Sequence, residues 1–181
     1  MKSKIENKVK ANDKDNVMRN ARMTKMVISA GAVGPELDKA VKLLGIITGT
    51  KAQIIKSGPK RRIPAFNVKP DMPLGTRITL RGNKAKETLM RLLAGVGNRL
   101  RRSQVVENHF SFGIKEYIDV PSLEYNRDIG IRGFNVTVVF ERAGVRVIKK
   151  KIKRGKLPRR HHVSPEEIIK FMEENFKTKF V

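Results

Sequence analysis

No cysteine and no tryptophan occur among the 181 residues. Without cysteine there is no disulfide framework, no thiolate metal site and no cysteine nucleophile. Acidic residues are scarce: 17 Asp+Glu stand against 40 Lys+Arg, a formal net charge of +23. No apolar run approaches the roughly 18–20 residues needed to span a bilayer. The segment Met1–Asn20 has basic residues but no apolar run behind them, so it does not read as a secretory signal. The sequon Asn135-Val136-Thr137 then carries no meaning. No phosphate-binding glycine pattern stands in its required context, and Gly95-Val96-Gly97 and Gly130–Gly133 read as turns. These absences leave the expectation of a soluble intracellular protein whose positive field attracts a polyanion: RNA, DNA or an anionic membrane.

What is present is enough apolar residue, 39%, to build one core. The first 17 residues read as a flexible tail. Residues 18–181 read as a single α+β domain. Met26-Val27-Ile28 reads as a strand and Gly31–Gly34 as a turn. Pro35 suits the first helical position, with Leu37, Ala40, Val41, Leu44 and Ile47 following at helical spacing and Gly49 as the stop. Residues 50–58 suggest a strand, and residues 59–75 a proline-rich, partly extended arm. Arg77–Arg81 alternates as a half-buried strand with Ile78 and Leu80 inward. A helix follows from Asn83, with a stripe of Ala85, Leu89, Leu92, Leu93 and Val96. Phe110–Ile114 reads as a strand and residues 115–130 as a long loop. Phe134, Val136, Val138 and Phe140 alternate over another strand. Ala143-Gly144 reads as a turn, with Val145–Lys150 as the partner strand of a hairpin. After a basic loop at 149–162, Ser164-Pro165-Glu166-Glu167 opens a C-terminal helix over 164–176 with a capping box. The order predicts two layers: a largely antiparallel or mixed sheet, helices stacked on one face, and the other face left for a partner.

The charge is segregated. Lys56–Lys69, Arg91–Arg102 and Lys149–Arg160 contain no carboxylate, and Lys149–His162 holds eight Lys/Arg. A solvated surface normally intersperses both signs. Segregation of this kind calls for an anionic partner, with a Lys or Arg on each phosphate releasing a counterion. Phe66 lies among the cations of the proline-rich arm. It reads either as a ring that stacks on an unpaired base or as a plug that holds the arm to its own core. Arg81 and Lys84 at a strand-to-helix junction read either as phosphate contacts or as ordinary surface charge. A metal site at His161-His162 is disfavoured, because adjacent histidines seldom share a site and the local cations repel one. The carboxylates Glu116, Asp119, Glu124 and Asp128 fall within 13 residues. They read as partners for basic groups or, in an enzyme, as Mg²⁺ ligands for RNA processing. A third reading is a nonspecific basic nucleic-acid packager.

Three long motifs carry a resemblance: TLRG at 79–82 before a helix, FSFGIKE at 110–116 and EYNRDIGIRGFNVTV at 124–138. Together they resemble the universal large-subunit ribosomal protein family that binds 5S ribosomal RNA, number five in that series. HHVSPEEIIKFMEENF at 161–176 is similar to the extended C-terminal end of its archaeal branch. The resemblance covers about residues 18–181. It implies a structural protein without cofactor or metal, and a five-stranded sheet with helices on one side. The open sheet face and first turn would bind 5S rRNA through Lys25, Ser29, Gly31, Gln53, Arg77, Thr79, Arg81 and Lys84. The arm residues Lys56, Lys60, Arg61, Arg62, Phe66 and Lys69 would face peptidyl-site tRNA. Further large-subunit rRNA phosphates would fall to Lys149, Lys150, Lys151, Lys153, Arg154, Arg159 and Arg160. Asn108, Phe110, Phe112, Arg142 and Gly144 would meet a small-subunit head protein across an intersubunit bridge. Where the family has an Asn-then-hydrophobic-Gly pattern after the first strand, this chain has Ser29-Ala30-Gly31.

Overall fold

Period-two alternation builds the middle of the molecule. Along β1 (Arg22–Gly31), Met26, Ile28 and Ala30 are buried, while Lys25, Val27 and Ser29 face the other way, half-exposed. Successive side chains of a strand point to opposite faces, so this one pattern divides the sheet into an apolar and a polar side. The computed structural model describes residues 16–181 apart from Arg61 and Ser122. The tail expected over residues 1–17 lies almost wholly outside the described residues.

After β1 comes α1 (Pro35–Thr48), which starts on Pro35 and carries Glu36 and Asp38 in its first turn, where carboxylates suit the positive end of the helix dipole. It buries Leu37, Ala40, Leu43, Leu44 and Ile47 and stops at Gly49, whose left-handed backbone (φ 61°) lets its N–H donate to the Gly45 carbonyl. Then follow β2 (Gln53–Lys56), β3 (Pro73–Leu80) and α2 (Gly82–Gly95). This second helix starts one residue before the expected Asn83; Arg81 is its cap and supplies no side-chain hydrogen bond. The chain continues through β4 (Arg99–Leu100), β5 (Val105–Val106), β6 (His109–Ile114), β7 (Phe134–Glu141), the one-turn α3 (Arg146–Lys149), α4 (Pro165–Phe176) and β8 (Lys179–Phe180). The capping box of α4 is formed: Ser164 Oγ accepts from the Glu167 N–H, and the Glu167 carboxylate accepts from the Ser164 N–H.

The sheet order is β2-β3-β1-β7-β6-β5, every described pairing antiparallel. All three long helices lie on the side of Met26 and Ile28: their apolar stripes share one core with Ile78, Leu80, Phe110, Phe112, Val136, Val138 and Phe140. Phe171 of α4 meets Phe140 edge-on at 5.4 Å between ring centres. The expected two-layer α+β architecture is therefore present. Two details differ. The sheet has six strands rather than five, because β5 folds back on β6 through a turn at Glu107-Asn108. The hairpin partner expected at Val145–Lys150 is instead the short helix α3 and its flank. The reason is topological: β7 is already bonded to β1 on one edge and to β6 on the other, so no free edge remains for a following strand. A separate parallel pair, β4 with β8, ties the end of the chain to the segment after α2.

Candidate nucleic-acid interface

Strand register lays out the uncovered face in rows. One row runs Gln53, Arg77, Ser29, Asn135, Gly113 across β2, β3, β1, β7 and β6. The next runs Thr79, Val27, Thr137, Ser111, and a third Lys25, Val139, His109, Val106. No Asp or Glu stands in these rows. Of the eight residues expected here, Lys25, Ser29, Gln53, Arg77 and Thr79 share the face, and Gly31 closes its β1 end opposite Gly75. Arg81 and Lys84 are exposed just past the end of β3, beside the face rather than in its rows.

Gln53 and Arg77 form one unit: Arg77 Nε–H donates to Gln53 Oε1 at 3.2 Å. That bond holds an exposed guanidinium in place while leaving its terminal nitrogens free for a phosphate or a base edge. Beside it, Ser29, Gly31, Gly113, Gly133, Asn135 and Lys115 line a shallow depression of about 420 Å³. Sequence reasoning missed the β7 and β6 half of this surface: Asn135, Thr137, Ser111 and Gly113. The signal was available, since FNVTV and HFSFG alternate, but only the sheet order shows that these outward positions flank Ser29.

The proline-rich arm is an excursion between β2 and β3, at the Gly31 end of the sheet. It closes at its base through Ser57 N–H to the Met72 carbonyl (2.7 Å) and again through reciprocal Ile63–Val68 bonds of 3.1 Å. A 3-10 turn over Pro64–Phe66 forms its tip. Phe66 is 75% exposed there, which overturns the plug alternative; Val68, at 6%, is the residue that packs inward. Lys56, Lys60, Arg62 and Lys69 are exposed, and Arg61 lies outside the described residues.

The basic loop after β7 leaves from the opposite end of the sheet. Lys149 does not present a free cation: its Nζ sits 2.7 Å from Glu141 Oε2. Lys150, Lys151, Lys153, Arg154, Arg159 and Arg160 are all exposed. The loop is tied down by Arg142, whose NH2 group donates to both carboxylate oxygens of Glu167 at 2.6 and 2.7 Å, and by a 3.3 Å contact between His162 Nδ1 and Glu107. In the second basic stretch Arg91 donates to the Ile47 carbonyl, linking α2 to α1, while Arg99, Arg101 and Arg102 lie exposed next to β8.

The expected bridge residues need correction. Phe110 and Phe112 are 0% and 3% exposed, with stacked rings 6.1 Å apart, because the alternation of β6 turns both inward. Side chains so placed build the core and cannot meet a partner. Arg142 is 11% exposed on its side chain and clamps the β7 exit to the start of α4. Asn108 is a clip: its side chain accepts the Val163 N–H at 2.8 Å and its carbonyl accepts the Phe140 N–H at 2.7 Å. Of the five, Gly144 alone is exposed.

The four carboxylates do not assemble a metal centre. Among the described residues no three His, Cys, Asp or Glu side chains converge as ligands. Nor do Glu116, Asp119, Glu124 and Asp128 form an ion pair there. The Mg²⁺-enzyme alternative therefore has no assembled ligand set among these residues.

Helices on one side, a bare carboxylate-free sheet on the other and two cationic excursions define a scaffold-type α+β protein with a broad cationic surface. The model of the ribosomal uL5 family C-terminus matches residues 73–171. The large ribosomal subunit protein uL5 of Methanobrevibacter smithii is 36% identical over 169 residues, 92% of this chain and 98% of that protein. Its counterpart from Nanoarchaeum equitans is 37% identical over 167 residues (91% and 98%), and that of Sulfurisphaera tokodaii 38% over 170 (92% and 95%). This chain belongs to the uL5 family of large-subunit ribosomal proteins. It is a structural, ribosome-bound protein and not an enzyme.

Proposed function

We propose that the open sheet face holds 5S rRNA within the large subunit, and that the arm at 56–69 reaches peptidyl-site tRNA. The observation that carries the first part is the Gln53–Arg77 pair on a face free of carboxylates. A held guanidinium binds a phosphate or base edge with less entropy lost than a free one. The neutral donors and acceptors around it, Ser29, Thr79, Asn135 and Thr137, suit the 2′-hydroxyls and base edges that distinguish one RNA shape from another. Lys25 and Arg81 add phosphate neutralisation and counterion release. No bond is made or broken; the work is recognition. The arm suits a second RNA, because its tip pairs an exposed ring with cations and its prolines reduce the entropy lost on docking. The small-subunit contact is not part of the proposal, since four of its five residues serve the fold.

A competition assay tests this reading: 5S rRNA against bulk tRNA for the full chain at about 150 mM salt, where nonspecific electrostatics act on both RNAs alike. The expected result is a clear preference for 5S rRNA. Equal binding would leave the nonspecific packager as the better description.

A further inference from the structure

The loop after β7 carries a feature that phosphate neutralisation does not use. Ile152 is 76% exposed, as bare as Phe66 at the tip of the arm, and its neighbours Lys150, Lys151, Lys153 and Arg154 are exposed cations. The loop has a defined shape. Lys150 N–H donates to the Arg146 carbonyl at 3.1 Å, Gly155 N–H to the Val147 carbonyl at 3.2 Å, and Arg154 Nε–H to the Ile148 carbonyl at 2.6 Å. Lys153 takes the left-handed backbone (φ 53°) that turns the chain back. Gly155 packs so closely that a Cβ there would lie 2.6 Å from Val147 Cγ1. These bonds close a tight turn over 148–155, with Ile152 on the stretch that turns back. At its base, Glu141 pairs with Lys149, so the carboxylate nearest in sequence is already neutralised.

We propose that residues 149–156 form a preformed RNA-reading prong, in which Ile152 packs against an unstacked base or ribose while the surrounding cations hold the flanking phosphates. This rests on the RNA-binding reading above and adds a second apolar reader, separate from the sheet face. The partner's chemistry follows from the neighbours. An exposed isoleucine alone suits any apolar surface, but one set among cations with no free carboxylate suits a partner that is anionic around an apolar spot. A nucleic acid meets that description, since apolar side chains wedge against bases while phosphates line the approach. The prong and the arm leave from opposite ends of β1, which at about 3.3 Å per residue over ten residues puts them roughly 30 Å apart. They therefore read different stretches of RNA.

The test replaces Ile152 by the photoreactive p-benzoyl-phenylalanine in the full chain, assembles it into large subunits and maps the cross-links. Adducts to rRNA at an unpaired or bulged nucleotide are expected. Adducts to protein alone, or none to RNA, would overturn the proposal. In parallel, Ile152→Ala should weaken binding to large-subunit rRNA about tenfold with the salt dependence unchanged, because apolar contact releases no counterions. Ile152→Leu should restore most of that loss. An Ile152→Ala variant within about twofold of the parent would equally overturn it. The two readings fail separately: cross-links to protein with the 5S preference intact sink only the prong, and a lost 5S preference with cross-links to RNA sinks only the sheet-face reading.

Discussion

The sheet face and the two basic excursions solve different parts of one recognition problem. The rows of the face hold two cations, Lys25 and Arg77, among Gln53, Ser29, Thr79, Asn135, Thr137 and Ser111. The excursions hold most of the segregated charge and end in exposed apolar residues, Phe66 and Ile152. Density of charge sets how strongly a polyanion is held and how steeply salt weakens it. Placement of a few oriented groups sets which polyanion is held. The net charge of +23 is thus a poor guide to the part of the surface that discriminates.

The largest expected effect separates the two faces of the sheet. Phe110→Ala should cost about 3–5 kcal/mol of stability in urea unfolding, the range for emptying a fully buried ring site. Ser111→Ala, one residue along on the open face, should change stability by less than about 0.5 kcal/mol. Similar losses at both positions would break the division into a core face and a partner face.

Next comes Arg77→Ala, expected to weaken 5S rRNA binding about tenfold or more, as removal of a charge-assisted hydrogen bond does, with the unfolding midpoint unmoved. Lys150→Gln with Lys151→Gln and Lys153→Gln should instead flatten the log–log salt dependence by about two units, at roughly 0.7–0.9 for each phosphate no longer neutralised, and leave the 5S-to-tRNA ratio unchanged. If the triple variant altered the ratio, the excursion would be discriminating as well as holding. Asn135→Ala should lower 5S affinity by about fivefold, the scale of one neutral hydrogen bond. The smallest effect belongs to the arm: Lys60→Gln with Arg62→Gln should leave 5S binding within about twofold while lowering tRNA affinity in a filter-binding assay.

Local signals carry far in this chain. Alternation at Met26–Ala30, Arg77–Arg81 and Phe134–Phe140 marks the three central strands, and Pro35 and the Ser164–Glu167 box mark two helix starts, because each depends on residues within a few positions. What depends on distant neighbours stays hidden. Val145–Lys150 has the look of a strand, yet both edges of β7 are occupied by segments far away in the chain. Arg142 reads as a surface cation because its partner, Glu167, lies 25 residues on. Phe110 and Phe112 read as interface aromatics until the strand around them is given a direction. The candidate site divides the same way. Lys25, Ser29, Gln53, Arg77 and Thr79 do meet on one face, whereas the half formed by Asn135, Thr137, Ser111 and Gly113 emerges only with the sheet order.

The claim that oriented groups on the open face, rather than charge, select the RNA is tested most directly by one quantity. It is the ratio of tRNA to 5S rRNA dissociation constants at about 150 mM salt, measured for the parent chain and for Arg77→Ala. The account predicts a ratio of at least about a hundred for the parent, modest beside what specific nucleic-acid readers reach, and a fall of about tenfold in the variant. A parent ratio near one, or a ratio that Arg77→Ala leaves untouched, would contradict it.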